Sequence, residues 1–218
     1  KLEKAPTNGI GGMIGYTYSK ATDLQSVGST VQANIPTQVG QNYLEESLSD
    51  NNLTHRIVGF VNYAIGYGEN FGGKTLLTLG LESSGGSPGT YSLSGDVNGD
   101  GQTNDLMYVP NSASEIKFVT LTVPNGGPTF TPAQQVTAFD AYINQSEYLS
   151  SRKGDYTVRN GEVFPWYTRL NAAIAQDLVV KAGGKPHALQ VRLDLTNLGN
   201  LINNAWGVGY TATTNQPL

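Results

Sequence analysis

Hydrophobic and polar residues alternate with a period of two in five stretches of the chain. The cleanest stretch sets Leu170, Ala172 and Ile174 against Asn171 and Ala173. Alternation of this kind predicts β-strands that have one apolar face and one polar face. The five predicted strands lie at about 10–19, 56–67, 74–83, 166–178 and 189–196, and a weaker sixth lies at about 206–213.

The connections between these strands are alternately short and long. Two short turns, 68–73 and 181–186, join neighbouring strands, whereas the other connections run over about 23–52 and 85–164. Connections in soluble domains are usually about 4–6 residues long, but outer-membrane barrels combine short periplasmic turns with long extracellular loops. The pattern predicts an all-β fold of about six antiparallel transmembrane β-barrel strands with long extracellular loops.

A soluble β-domain is the alternative fold, because amphipathic strands also build sandwiches whose apolar faces form the core. Six strands are too few to close the wide barrel that the long loops suggest. An open sheet edge in lipid also leaves backbone groups unpaired. We therefore expect residues 1–218 to be part of a longer barrel, with residues 85–164 as a long extracellular loop inserted within it.

Two sets of side chains are candidates for contacts outside the sheet. Aromatic residues fall near the predicted strand ends, as in the interfacial girdles of membrane barrels. Charged residues fall on the predicted polar face, where we expect them to line the lumen and to pair across strands or contact a plug. The aromatic set is Tyr16, Tyr18, Tyr67 and Trp166, with Phe71, and the charged set is Arg56, Arg169, Asp177, Arg192 and Asp194.

Composition excludes several other classes of function. The residues are 38% hydrophobic and 14% charged, with 27 glycines and 12 tyrosines, which argues against a helical bundle or a disordered tail. A net charge of −4 gives no reason to expect nucleic-acid binding. Cysteine is absent, and His55 and His187 lie on separate strands without a metalloprotease or triad spacing. We expect no enzymatic activity.

The stretch GDVNGDGQTNDLMYVP (95–110) has part of the calcium-loop pattern of an EF-hand. Asp96, Asn98 and Asp100 occupy the first, third and fifth positions and a glycine follows, but the twelfth position is Met107 instead of glutamate. One interpretation is a Ca²⁺ site that stiffens the loop, and the other is a turn whose side chains bond their own backbone. The residues of the candidate calcium loop are Asp96, Asn98, Asp100, Asn104 and Asp105.

A short helix is predicted downstream in the same long loop. Thr131 is suited to the N-cap position, Pro132 to the first helical position, and apolar residues recur at helical spacing up to residue 149. We expect this helix to pack within the loop. A lid over a substrate entrance is the second hypothesis.

Several segments resemble one known family when taken in order. They are NGIGGMIGYTYSKATDL, LTHRIVGFVNYAIGYGENFGGKTLLTLGLESSGG, SGDVNGDGQTNDLMYVP, FDAYINQSEYLSSRKGDYTVRNGEVFPWYTRLNAAIAQDL and LQVRLDLTNLGNLINNAWG. Together they resemble the C-terminal barrel region of Oar-like TonB-dependent receptors, which are common in Bacteroidota. The family continues beyond the TNQPL at which this sequence stops, so the last barrel strand is expected outside it.

This resemblance implies a receptor in the outer membrane of a Gram-negative bacterium. It implies ligand capture by the extracellular loops and energised import through a plugged barrel. The implied partners are outer-membrane lipid, the N-terminal plug domain of the parent chain, the TonB complex through that plug, and an unidentified extracellular ligand or surface partner. Two alternatives stay open: a surface adhesion or scaffolding barrel that transports nothing, and a secreted, calcium-stabilised β-sandwich that binds carbohydrate.

Overall fold

A computed structural model of the chain describes residues 1–26, 35–68 and 73–211. The chain forms two compact units. The sheet unit comprises Lys1–Lys20, Leu53–Gly86 and Pro165–Tyr210, and the loop unit comprises Ala21–Asn52 and Ser87–Phe164 with the end of the chain from Thr211. The predicted turn residue Phe71 lies outside the described residues.

The sheet unit contains one six-stranded antiparallel sheet in which every strand pairs with its neighbour along the chain. This up-and-down order is typical of membrane barrels. The strands are β1 (Leu2–Thr7), β2 (Ile10–Tyr18), β3 (His55–Gly66), β4 (Lys74–Ser84), β5 (Tyr167–Ala182) and β6 (Lys185–Leu195).

The register of the sheet keeps apolar residues on one face and polar residues on the other. Tyr63 lies opposite Leu77, Leu77 opposite Ile174, and Ile174 opposite Leu193, so a continuous apolar row crosses four strands. These side chains are exposed, because nothing in the sheet unit covers this face within the described residues. The all-β antiparallel fold predicted from the alternation is confirmed.

One predicted strand was wrong and another was missed. The described part of the strand predicted at about 206–213, residues 206–211, forms no strand, and residues 212–213 lie outside the described residues. A 3₁₀ helix at Leu198–Leu201 and a turn follow β6, and the Asn200 side chain bonds the Trp206 carbonyl at 3.0 Å. The missed strand is β1, which joins β2 through Asn8 and Gly9, both at positive φ. Asn-Gly is the preferred two-residue hairpin turn, but the proline at position 6 and the poor alternation of β1 hid the strand.

The predicted helix is two helices in the structure. Helix α1 (Pro132–Gln145) begins at the N-cap Thr131, which forms a capping box with Gln134, and helix α2 (Glu147–Ser151) follows. Ser146 separates them, because its backbone is extended and its hydroxyl accepts a hydrogen bond from the Leu149 amide at 3.1 Å. None of the described helices is long and apolar enough to cross a membrane.

The loop unit has its own hydrophobic core and a set of very short strands. Met107, Val109, Ile143 and Leu149 are buried together, and aromatic side chains of α1 and α2 pack against them. Its described residues also form five antiparallel ladders of two residues per strand. They pair Thr22–Asp23 with Ser47–Leu48, Pro88–Gly89 with Glu162–Val163, Ser92–Leu93 with Asp105–Leu106, Tyr108–Val109 with Asp155–Tyr156, and Leu121–Thr122 with Thr129–Phe130.

Asn160 links the two long excursions of the chain within the loop unit. It is buried at φ 54°, in the left-handed region that asparagine tolerates. Its side-chain amide donates to the Leu48 carbonyl at 2.7 Å and to Asp50 at 2.6 Å, and its Oδ1 accepts from the Thr90 hydroxyl at 3.0 Å. Bonds of Asn160 therefore join residues that are about 110 positions apart in the chain.

We predict that Asn160→Ala destabilises the loop unit by about 1–3 kcal/mol, because the buried Asn160 side chain makes three hydrogen bonds that alanine cannot form. Hydrogen exchange of the Thr157 amide, which bonds the Met107 carbonyl at 2.8 Å, measures this change. Asn125→Ala is the matched control, since Asn125 has a similar φ of 60° but is exposed in a hairpin turn. Equal effects of the two substitutions would contradict a role for the buried bonds.

We also predict that Leu79→Arg destabilises the sheet in a bilayer by about 2–4 kcal/mol, the usual cost of a lipid-facing cation near the bilayer midplane. Leu79 lies at the centre of β4 on the apolar face, opposite Val61 and Ala172. Thr78→Arg, on the polar face of the same strand, is the control and should cost much less. Urea unfolding in vesicles measures the loss of stability of both variants. A greater loss for Thr78→Arg than for Leu79→Arg would show that the face carrying Leu79 is not the lipid-facing one.

Candidate functional site

An aromatic cluster lies at one end of the apolar face of the sheet. The ring of His55 stacks between the rings of Tyr16 and Trp166, with centroids 6.1 Å and 5.8 Å away, and Tyr18 lies 5.4 Å from it. The Tyr16 hydroxyl is also 2.9 Å from His55 Nδ1. Three of the four predicted interfacial aromatic residues therefore meet around one histidine, for which the sequence pattern predicted no role.

Tyr67 lies at the other end of the same face, immediately after β3. Its hydroxyl bonds the Thr75 hydroxyl, which in turn bonds Gln176 Oε1 at 2.5 Å. His55 and Tyr67 are separated by twelve residues, or roughly 40 Å along a strand. A strand tilt of about 40° reduces this to roughly 30 Å across a bilayer, close to its hydrocarbon thickness. The interfacial role of these aromatic residues stays a prediction.

The polar face carries a three-residue charge bridge near the same end as the aromatic cluster. Glu82 on β4 accepts a hydrogen bond from Arg56 at 3.0 Å and another from Arg169 at 2.8 Å. The two predicted arginines therefore share one carboxylate across three strands, and the trio carries one excess positive charge. Glu82 was not among the predicted residues, because nothing in a linear pattern identifies a cross-strand partner.

The other three predicted polar-face residues are not brought into that bridge. Asp177 accepts from Gln190 at 2.7 Å and lies 3.9 Å from Lys74. Arg192 and Asp194 pair with each other at 2.7 Å along a single strand. Such exposed pairs contribute little stability, and the position of these residues in the lumen stays a prediction.

The loop unit contains a cavity of about 220 Å³. Apolar side chains, both exposed and buried, line it together with two arginines of the loop unit, Arg152 and Arg159. The cavity is smaller than the roughly 300–1,000 Å³ of drug-sized sites, so it suits a single small group or one residue of a longer ligand. The apolar residues that line it include Leu24, Val39, Tyr43 and Leu106.

Arg159 is a buried, ion-paired arginine in the wall of this cavity. The side chain is 8% exposed and bonds Asp23 at 2.5 Å, with Asp50 at 3.6 Å. Burial opposes ionisation of Asp23, but hydrogen bonds from Ser26, Arg159 and Ser49 outweigh it and hold the pKa of Asp23 below its usual value. The guanidinium is thereby held in one position within the cavity wall. The sequence pattern did not single out Arg159, because its partners are more than 100 positions away.

The candidate calcium loop folds around its own backbone. The Asp96 carboxylate accepts from the amides of Gly99, Asp100 and Gly101 at 2.7–3.0 Å, and Asp100 Oδ1 accepts from Gln102 at 2.8 Å. Asn104 lies at φ 67°. In the part of the chain that the structure describes, no three acidic or histidine side chains are close enough to hold a metal. Side chains that bond the backbone of their own loop are what we expected for a plain turn. Calcium binding stays a prediction.

The sequence comparison identifies the family. Residues 1–215 match the family described as "Outer membrane beta barrel domain". No curated protein and no solved structure gave a significant match to the chain. The match covers nearly all 218 residues, and the amphipathic up-and-down sheet is the architecture that such a family requires. The chain therefore belongs to the outer membrane beta barrel domain family, which points to a location in the outer membrane.

Proposed function

We propose that this domain forms part of the wall and the extracellular loops of a TonB-dependent outer-membrane receptor in a Gram-negative bacterium. The ordered set of motifs supports this proposal through its resemblance to Oar-like receptors. In that role the loop unit captures a ligand, a plug moved by the TonB complex opens the barrel, and the ligand passes through the lumen.

The observation that carries the proposal is the packed loop unit. Its longer excursion has a hydrophobic core of its own, and its two long excursions share a buried arginine and a cavity. Binding residues are commonly found on loops held by a rigid scaffold, and apolar clefts with a few fixed polar groups are typical ligand sites. The cavity is therefore the place where we expect the first ligand contacts.

The edges of the sheet require further strands in this role. Within the described residues, β1 and β6 pair on one side only. An unpaired edge in lipid costs several kcal/mol for each unsatisfied group. We therefore propose that additional strands of a larger barrel pair with β1 and β6.

The polar face fits a plugged lumen. The bridge of Arg56, Glu82 and Arg169 is partly exposed and has one excess positive charge. A plug surface with a carboxylate opposite this bridge would neutralise it.

The second candidate function, a scaffolding barrel, is favoured by exposed apolar residues on the loop unit such as Tyr43 and Val119.

The test is the depletion of defined nutrients by the source bacterium. Strains that lack this gene or lack the TonB protein are grown on a mixture of tryptic casein peptides, and in parallel on soluble glycans. A TonB-dependent importer predicts that both strains fail to deplete the same compounds. A scaffolding barrel predicts that loss of the TonB protein does not reproduce the effect of losing this gene.

We further predict that Tyr43→Ala lowers uptake of those compounds roughly tenfold, as expected for removal of an aromatic contact. Tyr43 is 71% exposed and lines the cavity, so the loop unit should still fold. Val119→Ala is the matched control, because Val119 is 68% exposed in the same unit and does not line the cavity. Equal uptake by the two variants would show that the cavity does not contact the imported compounds.

A further inference from the structure

Asp105 carries a buried charge for which the described residues provide no counter-ion. The residue is only 2% exposed. Its Oδ2 accepts from the amides of Val97 and Asn98 at 2.6 and 3.1 Å, but its Oδ1 has no hydrogen-bond partner in the structure. Among the described residues no lysine, arginine or histidine pairs with it. Buried carboxylates are normally paired with a cation or bound to a metal.

A second unpartnered oxygen belongs to the residue paired with Asp105. Thr37 forms an isolated parallel bridge with Asp105, and its carbonyl accepts from the Leu106 amide at 2.9 Å. Thr37 is 4% exposed and its hydroxyl also has no hydrogen-bond partner in the structure. Paired residues of a bridge project to the same side. The Asp105 carboxylate and the Thr37 hydroxyl therefore project to the same side of this bridge.

The loop beside this pair is rich in hard oxygen donors and negative charge. Residues 95–110 contain three aspartates and no lysine, arginine or histidine. The Asn98 side chain donates to the Gln38 carbonyl at 2.7 Å, which holds the loop against the segment that carries Thr37. Carboxylate, hydroxyl and carbonyl oxygens select Ca²⁺ over softer metals. Ca²⁺ also accepts backbone and water ligands, so three clustered carboxylates are not required.

We propose that the loop unit binds one calcium ion through Asp105 Oδ1 and the Thr37 hydroxyl, with the remaining ligands from the 96–100 loop and water. The ion neutralises the buried carboxylate and joins the segment around residue 37 to the loop around residue 105. Its binding does not depend on transport, so failure of the transport proposal leaves this site unaffected.

The experiment is a titration of CaCl₂ into the intact outer-membrane protein, purified in micelles and stripped with EDTA. Calorimetry and thermal unfolding are the measurements. We expect a single site with a Kd of roughly 10⁻⁴–10⁻³ M, as in extracellular calcium modules, and a melting temperature that rises with calcium. The absence of heat and of any shift in melting temperature at millimolar calcium would overturn the proposal.

Asp105→Asn tests the anchoring ligand. It keeps an oxygen that can accept the Val97 and Asn98 amides but removes the charge, so calcium affinity should fall at least tenfold. In EDTA the variant should be at least as stable as the parent protein, because the uncompensated buried charge is gone. If Asp105 only accepted hydrogen bonds from the loop amides and bound no calcium, Asp105→Asn would instead be less stable than the parent protein in EDTA.

Two further variants keep the test independent of folding defects at position 105. Thr37→Val should weaken calcium binding several-fold and is nearly isosteric. Asp140→Asn, an exposed carboxylate on α1, is the control and should bind calcium like the parent protein. Unchanged calcium binding by both Asp105→Asn and Thr37→Val would show that the ion, if bound, lies elsewhere and would overturn the proposed site.

Discussion

The requirement on which the rest of the structure depends is that every backbone group within lipid must be paired inside the protein. A helix meets this requirement by itself, whereas a strand needs a neighbour on each side. Among the described strands, β2 to β5 meet it by pairing on both sides in chain order, whereas β1 and β6 pair on one side only. The register places apolar side chains such as Val61 and Leu79 together on one face. A shift of one residue would move every one of these side chains to the other face. Alternation and register therefore determine together which side of the sheet contacts lipid.

The loop unit obeys a different constraint, because its backbone is not held by long ladders. Its strands are two residues long, and its stability depends on a small core and on buried polar bonds from Arg159 and Asn160. Polar bonds of this kind fix geometry more than they add stability. The bonds of Arg159 hold the cavity wall in place, where we expect ligand contacts. The Thr37–Asp105 pair is held separately, by the Leu106 amide on the Thr37 carbonyl and by the Asn98 side chain on the Gln38 carbonyl.

The strands from β2 onward could be predicted from the sequence because a period of two is a local signal. Strand β1 was missed because its alternation is weak, although the Asn8–Gly9 dipeptide by itself predicts a hairpin turn. The helix break at Ser146 was missed because serine is compatible with both a helix and a cap. No local sequence pattern indicated that Glu82, Arg159 and Thr37 would contact residues far away in the chain. Each meets its partner only after the chain has folded, across 26 positions for Arg56 and Glu82 and 136 for Asp23 and Arg159.

Site-specific labelling of β3 in native-like bilayers shows directly whether one face of the sheet contacts lipid. The chain has no cysteine, so Val61→Cys and Asn62→Cys each carry one fluorescent label on adjacent residues. We predict that a lipid-soluble quencher quenches the label at 61 and not the label at 62, with the same alternation at positions 63 and 64. Equal quenching at both positions, or quenching by a water-soluble quencher alone, would contradict a lipid-facing sheet.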